Sequence, residues 1–118
     1  MLILDMFRDE HDFKSYPTGH LVFKAGDPGD LMYVVKEGEV EVVVNNTVVD
    51  TIGPGGVIGE MALLEAKPRS ATVVTKTDCQ LIPIDEKRFL SLVQQRPHFS
   101  LAIMRMLADR LRKMDERV

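Results

Sequence analysis

This sequence predicts a mainly β domain, a sandwich, barrel or roll, closed by two helices. Three observations carry that prediction. Short strand-like runs are separated by turn signals about every eight to twelve residues. At Asp85 the apolar spacing changes from alternation to a helical period. The chain has 118 residues, 45% hydrophobic and 28% charged, which suits one domain with a real core and is too short for two.

Taken in order, the segment Leu2 to Phe13 mixes apolar and acidic residues, with Ile3, Met6 and Phe7 at helical spacing. It predicts a short N-terminal helix. Tyr16-Pro17-Thr18-Gly19 is a turn signal, followed by a strand from His20 to Lys24. Gly26-Asp27-Pro28-Gly29-Asp30 is a second, stronger turn, because glycine supplies positive φ and proline presets the bend. Strands follow at Leu31 to Lys36 and Glu39 to Val44, broken at Glu37-Gly38. The second begins by alternating Glu and Val, the period of a half-buried strand. Asn45-Asn46 suits a tight hairpin, since asparagine tolerates the left-handed region, and Thr47 to Ile52 pairs back. Ala71 to Thr75 and Cys79 to Ile84 are the last two strands. Asp85 then caps a helix from Glu86 to about Gln95, with Phe89, Leu92 and Val93 inward. Pro97 fits the first turn of a final helix that runs to the chain's end.

Composition excludes several function classes. A net charge of −3 gives no electrostatic footprint for nucleic acid. Arg105, Arg110, Arg112, Lys113 and Arg117 cluster near the end, but Asp109, Asp115 and Glu116 interleave with them, so a solvated helix face is expected. The single cysteine, Cys79, rules out an internal disulfide framework and is read as structural. The opening apolar run is too short for a signal segment and no apolar stretch reaches membrane-spanning length. A soluble, cytoplasmic protein without membrane contact is expected. His11, His20 and His98 lack metal-ligand spacing, and no paired carboxylates or activated nucleophile suggest catalysis.

The functional signal lies between Gly53 and Val74. A Gly-Pro-Gly turn leads through Val57-Ile58 to Gly59-Glu60 and the apolar segment Met61-Ala62-Leu63-Leu64. A polar loop then reaches Pro68-Arg69-Ser70. A helical turn beginning near Gly59 aims unpaired N–H groups at any anion there. Glu60 is an acceptor suited to a pair of hydroxyls, and Arg69 a planar fork suited to a phosphate. A sugar diol with a phosphate satisfies every part. The plainer reading is a surface ion pair between Glu60 and Arg69. Such a pair contributes only about 0–1 kcal/mol, which gives no reason for the small-residue pattern around it. The glycines fail the dinucleotide fingerprint spacing, and no Gly-Lys-Ser/Thr P-loop is present.

Gly59-Glu60-Met61-Ala62-Leu63-Leu64 with Pro68-Arg69-Ser70-Ala71-Thr72-Val73 closely resembles the phosphate-binding cassette of cyclic nucleotide-binding domains. That family includes the bacterial catabolite activator, protein kinase A regulatory subunits and cyclic-nucleotide-gated channels. The resemblance runs from about Tyr16 into the last helix. It implies a β-roll, or double-stranded jelly roll, with a short cassette helix and C-terminal helices: residues 1–15 helical, 16–84 the roll and 85–118 the helices. It also implies Glu60 on the ribose 2′-hydroxyl and Arg69 on the cyclic phosphate. Backbone N–H groups around Met61, Ala62, Ser70 and Ala71 complete the anion site, with Ile58, Gly59 and Val49 also against the ligand.

The implied function is non-catalytic binding of a cyclic nucleotide, cAMP ahead of cGMP, by a sensor that signals through its C-terminal helices and uses no catalytic cofactor. Ser70 stands where a threonine accompanies cGMP preference in the family, so the preference for cAMP is expected to be modest. Met114 falls where the activators place a base-reading threonine, so this helix offers no polar group at that position. The same helix implies a homodimer contact. No helix-turn-helix lies in these residues, so this chain alone is not expected to read DNA. The alternative is a degenerate roll that serves only as an oligomerisation module.

Overall fold

In a computed structural model, which describes residues 3–116, eight strands form two four-stranded antiparallel sheets. The elements in order are α1 (Ile3–Phe7), β1 (Lys14–Tyr16), β2 (Leu21–Phe23), β3 (Met32–Glu37), β4 (Val40–Val44), β5 (Thr47–Ile52) and β6 (Val57–Ile58). Then come α2 (Met61–Leu64), β7 (Thr72–Thr75), β8 (Cys79–Ile84), α3 (Glu86–Gln95) and α4 (His98–Glu116). One sheet has the strand order β1-β8-β3-β6 and the other β2-β7-β4-β5.

Alternation along three strands divides the core in two. Met32 and Val34 of β3, Val57 of β6, and Ile82 and Ile84 of β8 pack with Phe7, Phe99 and Ile103 on the helical side. The intervening Tyr33, Val35, Ile58, Cys79 and Leu81 pack with Val40, Ile52 and Val73 between the sheets. This sheet is therefore covered on both faces, which is why its strands read as continuous apolar runs. Burial of each such large apolar side chain contributes about 1.5–3 kcal/mol. Phe99 fixes the helices to the sheet, with its ring 6.1 Å from Phe7 and 5.5 Å from Phe89.

The roll, the hairpin and the final helices match the expected fold. Asn45 and Asn46 both take positive φ, and Asp85 caps α3 by accepting from the Arg88 N–H at 2.8 Å. Two strands were not foreseen. The N-terminal helix stops at Phe7, and Lys14–Tyr16 pairs with β8 where a helical segment and a turn were expected. Leu2 lies outside the described residues. Val57–Ile58 pairs with β3, and two residues are too few to display alternation. Glu10 and Asp12, beyond the end of α1, hold Arg88 of α3 at 2.8 and 3.1 Å.

Candidate functional site

Between the second sheet, the α2 loop and the far half of α4 lies a cavity of about 440 Å³. All nine residues singled out from the sequence line it: Val49, Ile58, Gly59, Glu60, Met61, Ala62, Arg69, Ser70 and Ala71. The size is ordinary for a small-molecule pocket.

Arg69 arrives between the α2 loop and β7, and is only 9% exposed. Its backbone is tied to the 26–30 turn: the Arg69 N–H donates to Asp27 O and Gly26 N–H donates to Arg69 O, both at 2.8 Å. The guanidinium donates to Leu31 O at 2.8 Å and Gly59 O at 3.2 Å, and lies 4.1 Å over the Phe23 ring. Its Nε is buried without a hydrogen-bond partner among the described residues. Such an orphaned donor costs about 1–3 kcal/mol and so favours any acceptor brought to it. Two glycines make room for this side chain. Gly59 has φ +75°, and a Cβ there would lie 2.5 Å from Arg69 Nη1. A Cβ on Gly29 would overlap Nε itself.

Glu60 is 7% exposed and does not pair with Arg69. Its carboxylate instead accepts from Arg110 Nη1 of α4 at 2.6 Å, and Arg110 Nη2 donates to Val57 O. This corrects the expectation of a solvated face for Arg110. Arg112 does face solvent, whereas Lys113, though exposed, also lines the cavity; each lies 3.3 Å from Asp109 on the same helix. A signal for Arg110 was present in the sequence. It lies three positions after Leu107 and four before Met114, on one helical stripe, and Leu107 packs on the core while Met114 lines the cavity. Gly29 was also missed as a site residue, since its close approach to Arg69 leaves no trace beyond a turn signal.

The anion-facing amides are only partly available. Ala62 N–H donates to Gly59 O at 3.2 Å within the turn, so it is already engaged. Cys79 is buried in the cluster between the sheets and does not line this cavity; burial pushes its thiol pKa up, consistent with a structural residue.

Comparison with known proteins gives this geometry a family. The cyclic nucleotide-binding domain family model matches residues 13–96. A CRP-like cAMP-activated global transcriptional regulator of Mycobacterium tuberculosis is 30% identical over 103 residues, 83% of this chain and 46% of that protein. The Thermus thermophilus catabolite activator protein superposes with a TM-score of 0.78 at 30% identity, over 97% of this chain and 56% of that one. The regulatory domain of Toxoplasma gondii PKA in co-crystal with cAMP gives a TM-score of 0.62 at 31% identity, over 67% of this chain and 32% of that one. This chain spans about half the length of the regulator it matches. With a family match across most of its length and the matching roll around the cassette, this chain belongs to the cyclic nucleotide-binding domain family.

Proposed function

We propose that this domain is a non-catalytic cAMP sensor that signals through α3 and α4. The observation that carries this reading is Arg69, a buried cation that lines a ligand-sized cavity and whose Nε has no hydrogen-bond partner among the described residues. A cyclic phosphate supplies the missing acceptor and the opposite charge together. Ser70 and the amides of Met61, Ser70 and Ala71 surround the same place, and Glu60 takes the ribose 2′-hydroxyl. Phosphate and hydroxyl groups then have separate partners, so the acid does not repel the anion. A relative crystallised with cAMP supports this choice of base.

Arg110 links the ligand to the helices. In this structure it occupies the Glu60 carboxylate, so a sugar hydroxyl entering there shares or displaces it. Either event changes what holds α4 in place. Met104 and Leu111 are 57% and 61% exposed on α4, a surface for a second copy of the chain. Location in the cytoplasm fits this reading, and no described helix is long and apolar enough to cross a membrane.

Calorimetric titration of the purified protein with cAMP and cGMP tests the proposal. Saturable binding of one nucleotide per chain, lost in Arg69→Ala, is expected. Absence of heat with both nucleotides overturns it and leaves the roll as an oligomerisation module.

A further inference from the structure

We infer that Asp50 selects the base, by accepting a hydrogen bond from the C6 amino group of adenine and repelling the C6 carbonyl of guanine. This rests on the cyclic-nucleotide reading of the cavity. The second sheet forms one wall, where Val73, Val42 and Asp50 stand side by side on β7, β4 and β5. Residues directly opposite in antiparallel strands project from the same face, so this row points one way and lines the cavity. Asp50 is the acidic end of an otherwise apolar row.

Asp50 faces the cavity by the same alternation as Ile52, and a bulge adds its neighbour Val49. The β4–β5 register slips between Val42 and Val43, whose partners are Asp50 and Val48, so Val49 is the extra residue. A bulge of this kind re-aims neighbouring side chains, and here two consecutive residues, Val49 and Asp50, both line the cavity. Strict alternation would allow only one of them.

Distance and chemistry then identify the edge of the base that is read. Two strand spacings separate Asp50 from Val73, about 10 Å. Val73 lies just beyond the cassette residues Arg69, Ser70 and Ala71, so Asp50 stands at the end away from the phosphate. A purine that reaches across this row presents the edge farthest from its sugar, which carries the C6 substituent. Adenine has an amino donor there and guanine a carbonyl acceptor. An ionised carboxylate only accepts, so it attracts the first and opposes the second. Asp50 Oδ1 accepts from Thr51 N–H at 2.9 Å, which fixes the group and leaves Oδ2 for the base. Lys113 also lines the cavity, but its Nζ lies 3.3 Å from Asp109 on its own helix.

The test is competition binding to the full chain and to Asp50→Asn and Asp50→Leu. The competitors are cAMP, cGMP and the cyclic phosphate of purine riboside, which lacks any C6 substituent. Asp50 lies exposed on an edge strand, so both variants should melt as the parent does. The parent should favour cAMP over both other ligands by about tenfold. In Asp50→Leu, cAMP and the purine riboside analogue should bind within about twofold of each other. In Asp50→Asn the cAMP-to-cGMP ratio should fall to about one, because the amide can donate to the C6 carbonyl. Unchanged ratios in both variants overturn the assignment of Asp50 and leave cyclic-nucleotide binding intact. Failure of the parent to bind any of the three overturns the reading beneath it, and this assignment with it.

Discussion

The Glu60 carboxylate lies 2.6 Å from the Arg110 guanidinium, joining the cassette to a helix 50 residues further along the chain. Arg110 also donates to Val57 O, so one side chain holds both a charged and a neutral acceptor. The pair sits at the margin of a cavity, with the Glu60 side chain 9% and the Arg110 side chain 27% exposed. Arg110→Ala leaves a largely buried carboxylate without its partner. Because water can reach the site, the destabilisation should be about 1–2 kcal/mol, below the 3–5 typical of fully buried pairs. Arg112→Ala breaks only an exposed pair with Asp109 and should change stability by less than about 0.5 kcal/mol. Chemical denaturation of the two variants compares them directly; equal midpoints would mean that Arg110 does not hold the helix.

Arg69 and Glu60 should contribute unequally to affinity. Arg69→Ala leaves the cyclic phosphate desolvated without a counter-charge, a loss of roughly 2–5 kcal/mol, or thirty- to several-thousand-fold. Glu60→Gln keeps an acceptor for the ribose and loses only charge assistance, so its effect should be smaller. Titration calorimetry with cAMP ranks them, and parent-like affinity in Arg69→Ala would sink the cassette reading.

Much of this was legible in the sequence because local chemistry carried it. Gly59-Glu60 and Arg69-Ser70 stand within a dozen positions of each other, and the turn at Asn45-Asn46 sets its own conformation. Asp85 and Pro97 marked the starts of the last two helices for the same reason. What stayed hidden depends on distant contacts. Lys14–Tyr16 becomes a strand because β8 offers it an edge, and Val57–Ile58 because β3 does. Arg110 looked solvated because its neighbours Asp109 and Arg112 are, whereas one-third of a helical turn carries it to Glu60. Its stripe with Leu107 and Met114 was the cue that helical periodicity provided.

Gly29 should prove a binding determinant that never touches the ligand. A Cβ at this position would overlap Arg69 Nε, so Gly29→Ala must push the guanidinium from its seat over Phe23. Affinity for cAMP should fall by about tenfold or more, in keeping with the sensitivity of bound ions to misplaced partners. The melting temperature should move little, because the turn from Gly26 to Asp30 lies at the surface. A variant that binds cAMP as the parent does would show that Arg69 adapts without loss.

Cys79 should resist alkylation in the folded protein. Burial raises its thiol pKa, outweighing the opposing hydrogen bonds, and Sγ lies 3.2 Å from both Glu39 O and Thr77 O. The folded state therefore holds its proton to higher pH than the unfolded chain. This contribution to stability is fully present below the unfolded thiol pKa of about 8.5 and is lost as pH rises through the folded value. Iodoacetamide labelling at pH 8 should be slow without urea and fast with it; equal rates would contradict a buried, structural thiol.

Hydrogen exchange should identify α4 as the element that responds to ligand. Its first half is fixed, since Phe99 and Ile103 are buried in the core and Leu107 packs against it. Its second half has a different anchorage: Arg110 holds Glu60 and Val57, Met114 lines the cavity, and Leu111 is exposed. A ligand that engages Glu60 acts on that anchorage at once, and it also meets Met114, which lines the same cavity. The two states of the helix then differ in free energy with the ligand, which is the requirement for a switch. Amide protection should change from about Arg110 onward when cAMP is added, together with changes around Glu60 and Arg69, while Phe99 to Ile103 stay as they were. In Arg110→Ala the second half should exchange fast without ligand, and the response to cAMP should shrink. Protection confined to the cassette would instead describe a static binder, with α4 packed alike in both states.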